Sequence, residues 1–309
     1  MPVTYSIVVP AYNEESVLPE TYLRLTSVLE RLDGPYELIF VNDGSQDGTL
    51  ALLEDMHRKD PRVKVMDFSR NFGHQVAITA GMDYASGDAV VVIDADLQDP
   101  PEVILQFVEK WKEGHQIVYG VREKREGESL FKKTTASIFY RFLDKLTDIN
   151  IPVDAGDFRL LDRKVVDVFK NGIREKNRFI RGLTSWVGFR QTGVLYARMP
   201  RVAGQTKYPF RKMLKFSVDA VVSFSNLPLK IATYIGFMVA GLSFLYMLYV
   251  IFLKFLSERP VQGWSSLIAV VLFLGGVQLI FLGIIGEYLA RISDNVKQRP
   301  LYIIKRVLE

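Results

Sequence analysis

Hydrophobic positions in the first part of the chain follow two spacings. Runs at 5–10, 36–42, 63–68, 89–94 and 116–121 are short and nearly continuous, the pattern of buried strands. Between the first two, Leu18, Tyr22, Leu25, Leu29 and Leu32 step by four and three, which predicts a helix with one apolar stripe. The segment "SQDGTLALLEDMHRK" predicts another, entered through Ser45 or Asp47 as N-cap. Such alternation implies an α/β domain with a mostly parallel sheet covered by helices on both faces. Ligands in these sheets bind beyond the carboxyl ends of the strands, which gathers "VPAYNEE", "VNDGSQD", "DADLQD" and "YGVRE" onto one rim.

Further on the pattern changes. Residues 231–253 and 264–286 are uncharged apolar runs of 23 residues each. That is roughly 34 Å of helix, enough to cross a hydrocarbon core of about 30 Å. The short "KFLSERPVQG" between them predicts a transmembrane hairpin. Lys207, Arg211, Lys212, Lys215 and Lys230 precede it, and Arg291, Lys297, Arg299, Lys305 and Arg306 follow it. The positive-inside rule then puts both flanks in the cytoplasm, although Lys254 and Arg259 in the loop soften the contrast. The N-terminus shows no signal peptide, so the expectation is a multi-pass protein of the inner or plasma membrane with both termini cytoplasmic. The division expected is a soluble domain at 1–210, a juxtamembrane amphipathic helix at 211–228, two spans within 229–290 and a tail at 291–309. The helix could lie on the membrane surface or pack as a linker on the soluble domain.

Composition narrows the chemistry. The 309 residues carry a net charge of +4, far from a nucleic-acid-binding signature, and contain no cysteine. Disulfides, thiolate zinc sites and a cysteine nucleophile are therefore excluded. No G-x-G-x-x-G follows the first strand, and neither G-K-[ST] nor H-E-x-x-H occurs. The three histidines, His57, His74 and His115, are scattered; His74 in "NFGHQ" could face the rim, but it reads first as a loop histidine with ordinary hydrogen bonds. What stands out is "DAVVVIDADLQDPPE": a buried strand runs straight into Asp94, Asp96 and Asp99, and Pro100-Pro101 stop it. Carboxylates that close repel one another, so a cation is expected among them. An oxygen-only donor set suits a hard divalent ion, Mg²⁺ or Mn²⁺. Asp94 and Asp96, two apart on an extended stretch, fall on the same side.

Taken in order, "IVVPAYNEE", "VNDGSQDGT", "DADLQDPPE" and "GDFRLLDR" resemble the GT-A glycosyltransferases of family 2. With two C-terminal spans the chain is most similar to the polyisoprenyl-phosphate glycosyltransferases, meaning bactoprenol glucosyltransferases and dolichol-phosphate mannose synthases. The resemblance implies a GT-A fold and inverting transfer of a sugar from a nucleotide donor to a polyprenyl phosphate in the membrane. Glucose from UDP-glucose is the first expectation and mannose from GDP-mannose the alternative. It also implies that Pro10, Tyr12 and Glu14 (or Glu15), together with Asn42 and Asp43, bind the nucleotide. Asn42-Asp43-Gly44-Ser45 could equally be a turn with a helix cap. Asp94 and Ala95 would face ribose or sugar. Asp96, supported by Gln98, would hold the Mg²⁺ or Mn²⁺ that bridges the diphosphate.

Arg122, Lys132, Arg159, Arg201 and Lys207 would offset the negative charge of the acceptor phosphate beside the donor. Asp157 would face the acceptor, as a base or a positioning group, or would simply pair with Arg159. Trp186 in "FIRGLTSWVGF" is expected mainly to pack in the core. A processive polysaccharide synthase is disfavoured because no Q-x-x-R-W segment is present. A non-catalytic nucleotide-sugar-binding membrane protein would not need intact Asp-x-Asp and "GDFR" carboxylates. Finally, "LYIIKRV" near the C-terminus is β-prone without an evident partner in its own sheet, so it is expected to pair with another chain. The resemblance adds the expectation of a symmetric homo-oligomer, a tetramer.

Overall fold

The computed structural model describes residues 4–123, 152, 155–199, 227–256 and 263–309. Lys132, Arg201, Lys207 and nearly all of the 211–228 segment lie outside them. The first half folds as β1 (Tyr5–Ala11), α1 (Leu18–Leu29), β2 (Tyr36–Asn42), α2 (Thr49–Lys59), β3 (Val63–Phe68), α3 (His74–Tyr84), β4 (Ala89–Val92), α4 (Val103–Lys112) and β5 (Ile117–Arg122). Then follow β6 (Ala155–Asp162), α5 (Arg163–Asn171), α6 (Ile180–Trp186), β7 (Gln191–Tyr196), α7 (Leu227–Leu256), α8 (Trp264–Val296) and β8 (Ile304–Leu308).

These strands form one sheet in the order β7-β5-β6-β4-β1-β2-β3-β8. Strands β1, β2, β3 and β4 are mutually parallel, β5 and β7 are parallel to each other, and β6 and β8 run against their neighbours. Every residue of β1, β2 and β4 is buried, which explains their unbroken apolar sequences. Alternate residues feed two cores. Ile7 and Val9 pack with Leu18, Leu25, Leu53 and Phe107 on one face, while Val8 packs with Ile78, Val165 and Phe169 on the other. Pro10 is accommodated inside β1 because β4 pairs only as far as Val8.

Strand β6 matters most for function. It is wedged between β4 and β5 and runs antiparallel, with Val92 opposite Arg159. Its first residues therefore lie on the rim where β4 and β5 end. The Asp162 side chain closes it by accepting from the Lys164 N–H at 2.9 Å, capping α5.

The C-terminal strand departs from expectation. β8 pairs antiparallel with β3 of its own sheet, Val65 opposite Leu308 and Met66 opposite Val307. Tyr302 reinforces the join by stacking on Phe68 with ring centroids 5.4 Å apart. The tail thus already has a partner strand, and an unpaired tail gives no reason for oligomerisation.

Both α7 and α8 are long and apolar, over Leu229–Tyr249 and Phe273–Val296, with none of that surface buried inside the chain. Leu245, Phe273, Leu279 and Leu282 all point outward. So large an apolar surface needs an apolar covering, which marks a membrane-associated segment. Helix α8 runs ten residues past the predicted Gly286, through a polar turn where Arg291 reaches Glu287.

Candidate active site

Loops leaving the carboxyl ends of β1 and β2 are latched to each other. The Asn13 side chain accepts from the Gln46 N–H at 2.8 Å, the Asn13 N–H donates to Ser45 Oγ at 3.0 Å, and the Glu14 N–H donates to Thr49 Oγ1 at 2.9 Å. Gly44 permits a third close approach. It has φ +68°, and a Cβ there would come within 2.5 Å of the Arg70 carbonyl carbon. The 70–73 loop crosses directly over it.

Asn42 and Asp43 are buried and committed to this framework. Asn42 Nδ2 donates to Asp67 at 2.7 Å, and its Oδ1 accepts from the Ser45 N–H at 3.2 Å. The Asp43 carboxylate accepts from the Phe72 and Gly73 N–H groups at 2.6 and 3.0 Å. The turn geometry weighed from the sequence is what these bonds describe. Tyr12, by contrast, is 36% exposed at the rim.

A second layer follows β4. Ala95 is buried, and its carbonyl accepts from Thr21 Oγ1 at 2.7 Å. Asp96 Oδ1 accepts from the Gln98 N–H at 3.1 Å. Gln98 Oε1 accepts from Arg198 at 2.7 Å. Asp99, fully buried, accepts from the Tyr196 hydroxyl and lies 3.8 Å from Arg122 and 3.7 Å from Arg198. The protein's own arginines therefore supply part of the positive charge that the acidic run requires. Among the described residues no group of three or more acidic or histidine side chains converges as a ready metal cage. A hydrated Mg²⁺ or Mn²⁺ needs fewer protein oxygens, since it keeps waters and takes phosphate oxygens. Asp96 and Asp94 fit that requirement. The Gln98 side-chain oxygen accepts from Arg198 with one lone pair and keeps the other.

The third layer joins Asp157 of "GDFR" and His74 to Gln75 and Arg181, which no motif singled out. His74, the first residue of α3, brings Nε2 to 3.4 Å from Asp94 Oδ1 and 3.5 Å from Asp157 Oδ2. Asp157 receives Arg181 Nε at 2.9 Å, Arg181 Nη2 at 3.0 Å and Gln75 Nε2 at 3.1 Å. Gln75 also accepts from the Ile180 N–H at 3.0 Å, so one side chain ties α3 to α6 and to the carboxylate between them. Burial would raise the Asp157 pKa, but Arg181 and His74 hold it well below the usual carboxylate range. Asp94 goes the other way. Burial lifts it to about 6, with Asp157, Asp99 and Asp96 adding repulsion against the opposing pull of His74. Burial would lower the His74 pKa, yet Asp94 and Asp157 raise it to about 9. Asp94 Oδ1 is shut off from solvent and accepts no hydrogen bond.

Two expectations fail here for geometric reasons. Arg159 does not pair with Asp157 or face the rim. It is 2% exposed, donating to Thr184 and, at 2.7 Å, to the Gly156 carbonyl. It shares the α6-facing side of β6 with Asp157 but sits two residues farther along the strand, covered by Thr184, and burial lowers its pKa to about 10. Trp186 is no core residue: it is 61% exposed at the end of α6. Arg122 does reach the rim, donating to the Tyr196 hydroxyl at 3.3 Å.

Comparison with known proteins now decides the class. The glycosyl transferase family 2 model matches residues 6–169, more than half of the chain, and the GtrB C-terminal hairpin model matches 227–292. The chain belongs to glycosyltransferase family 2. An uncharacterized glycosyltransferase of Bacillus subtilis, YkcC, is 58% identical over 98% of this chain and 94% of that one. The SfII prophage-derived bactoprenol glucosyl transferase of Shigella flexneri is 43% identical over 97% of both chains. Among solved structures, glucosyl-3-phosphoglycerate synthase of Mycobacterium tuberculosis with Mn²⁺, UDP-glucose and phosphoglyceric acid has a TM-score of 0.46 at 20% identity, covering 71% of this chain and 78% of that one. This glycosyltransferase therefore joins a family 2 domain to an apolar two-helix hairpin.

Proposed function

We propose that the enzyme transfers glucose from UDP-glucose to a membrane polyprenyl phosphate, with inversion at the anomeric carbon. One observation carries this reading: the bactoprenol glucosyl transferase of Shigella flexneri aligns over 97% of both chains, hairpin included. In the step proposed, an oxygen of the lipid phosphate forms a bond to the sugar C1 as the C1–O bond to the diphosphate breaks, and UDP leaves. The acceptor phosphate has a second pKa of about 6, so its dianion attacks at neutral pH with no proton left to remove. Asp157, already ionised and clasped by Arg181, then orients groups at the rim rather than collecting a proton.

Tyr12 and the latched loops after β1 and β2 would receive the nucleotide, with Asp94 against the sugar. Asp96, with Asp94, would hold Mg²⁺ or Mn²⁺, which when bound neutralises charge developing on the leaving diphosphate. Arg122 and Arg198 lie beside that position and would serve the two phosphates in the same way. The apolar hairpin would cross the inner or plasma membrane with the catalytic domain and both termini on the cytoplasmic side. A symmetric homo-oligomer, a tetramer, remains part of the proposal on the resemblance alone.

The test is a donor screen in detergent with full-length protein, polyprenyl phosphate and Mg²⁺ or Mn²⁺. UDP-glucose should move radiolabel into the organic phase. Label from GDP-mannose instead would reassign donor and sugar, and no lipid label with any donor would refute the acceptor class.

A further inference from the structure

A cavity of about 840 Å³ opens between α6, the segment after α5 and the chain just beyond α8. None of its lining residues belongs to the catalytic rim. Leu183, Trp186 and Leu301 give it an apolar wall, and Arg174, Lys176 and Arg299 bring three cations. Those cations are not equally satisfied. Arg174 Nη1 is 2.8 Å from both oxygens of Asp83, so its charge is neutralised. The Lys176 ammonium donates to the Pro300 carbonyl at 3.3 Å, a neutral partner. Arg299 makes no ion pair or hydrogen bond with any described residue.

Lys176 and Arg299 also repel each other. Burial pushes the Lys176 pKa down, and the charge of Arg299 pushes it further, against a smaller opposing pull from Asp294. Asp294 is itself 3.7 Å from Lys297. Burial raises the pKa of the acidic lining residue Glu175, against the pull of Arg178. Lys176 with only a carbonyl partner, beside an Arg299 that has no ion pair among the described residues, describes a site for an anion.

Position says which kind of anion. The uncharged run of α8 ends at Gly286, the helix continues through Glu287 and Arg291 to Val296, and Arg299 follows three residues later. The cavity therefore lies on the basic flank past the apolar layer, the side on which lipid phosphates are met. Basic pockets at that level on the cytoplasmic side recognise anionic headgroups. Trp186, largely exposed, has the amphipathic ring that settles at such an interface. A free phosphate would use the cations and leave the apolar wall bare; a phospholipid uses both.

We propose that this cavity binds the phosphate headgroup of an anionic membrane lipid between Lys176 and Arg299, with an acyl chain against Trp186 and Leu301. The inference rests on the membrane reading given above, but not on the identity of the donor or acceptor.

The experiment counts lipids retained by the full-length protein in detergent, by native mass spectrometry, after titration with phosphatidylglycerol or phosphatidylcholine. Wild type should retain phosphatidylglycerol preferentially. The double variant Lys176→Gln/Arg299→Gln should need roughly tenfold more of it, given the contribution of each basic residue near an anionic surface. Millimolar inorganic phosphate should leave retention unchanged. Equal retention by wild type and double variant overturns the proposal, as does equal retention of the two lipids. Displacement by inorganic phosphate assigns the site to a soluble anion and also overturns it. Sugar transfer is measured on the same samples. Neither substituted residue belongs to the catalytic rim, so the double variant should keep wild-type transfer with excess acceptor. A wild type that binds the lipid but transfers no sugar refutes the proposed reaction and leaves this site standing.

Discussion

Two carboxylate clusters lie at opposite ends of the same sheet, and they are built on opposite principles. At the amino ends of the strands, Glu37 faces Ser6 across β1 and β2. It accepts from Ser6 Oγ at 2.5 Å, the Ser86 N–H at 2.7 Å and Ser86 Oγ at 2.8 Å, and it pairs with Lys64 at 2.7 Å. Burial raises its pKa, but those partners bring it below the usual range. At the carboxyl ends, Asp94 and Asp157 share one histidine at 3.4 and 3.5 Å. The Glu37 side chain is 2% exposed, whereas Asp94 and His74 keep 29% and 37% of theirs open to solvent. A closed polar cluster serves the fold, whereas an open one keeps capacity for a ligand.

The sharpest way to break the comparison is at the open end. Asp96→Asn removes the carboxylate proposed to face the metal and diphosphate while keeping size and the acceptor for the Gln98 N–H. Turnover should fall by roughly 10²–10³-fold, the scale for losing one group that stabilises developing charge. The melting temperature should stay within a degree or two of wild type. Normal turnover in Mg²⁺ or Mn²⁺ by the folded variant would remove Asp96 from the metal assignment.

A smaller loss is expected at Asp157. Because Arg181 keeps it ionised, it is already a carboxylate at pH 6 and at pH 8. Asp157→Asn should therefore lower kcat by about 10–100-fold, in the range attributed to misplacing a reacting group. The factor should be the same at both values. Partial recovery at pH 8, where the acceptor is already a dianion, would instead make Asp157 a general base.

Much of this contrast was legible in the sequence, and the missing part has a common cause. Buried β-branched runs located β1, β2 and β4, and the rule for strand ends brought Tyr12, Asp94 and Asp96 to one rim. Those features are local. The partners that set the charge of Asp157, namely His74, Gln75 and Arg181, come from α3 and α6, and they meet it only because β6 runs antiparallel beside β4. Nothing near "GDFR" encodes that meeting. The Gly73-His74 junction, with Gly73 at φ +101°, was the one local hint that α3 begins at the rim. Arg159 shows the same limit: alternation puts it on the face of β6 that carries Asp157, and only the packing of Thr184 from α6 over it, which is not local, takes it out of the rim. The tail failed for a different reason: a β-prone segment reveals an appetite for an edge, but not whose edge it takes. Here β3 of the same chain was available.

The gentlest test works at the closed end, and its sign can be fixed beforehand. Glu37→Gln keeps the shape and most hydrogen bonds but leaves Lys64 without its charged partner, at a cost of about 1–3 kcal/mol. Sugar transfer should be unchanged, since the residue lies at the far end of the strands from the rim. A carboxyl whose pKa is lower folded than unfolded stabilises the fold above its unfolded pKa, near 4.5. That contribution disappears as pH falls through the lower folded value, because both states are then protonated. Wild type and Glu37→Gln should therefore differ fully at pH 6–7 in thermal unfolding of the detergent-solubilised chain. The gap should narrow steadily below pH 4.5. A gap that stayed constant down to pH 3 would mean that shape and hydrogen bonding, rather than the charge of Glu37, hold that end of the sheet together. The contrast with the rim would then be one of packing and not of electrostatics.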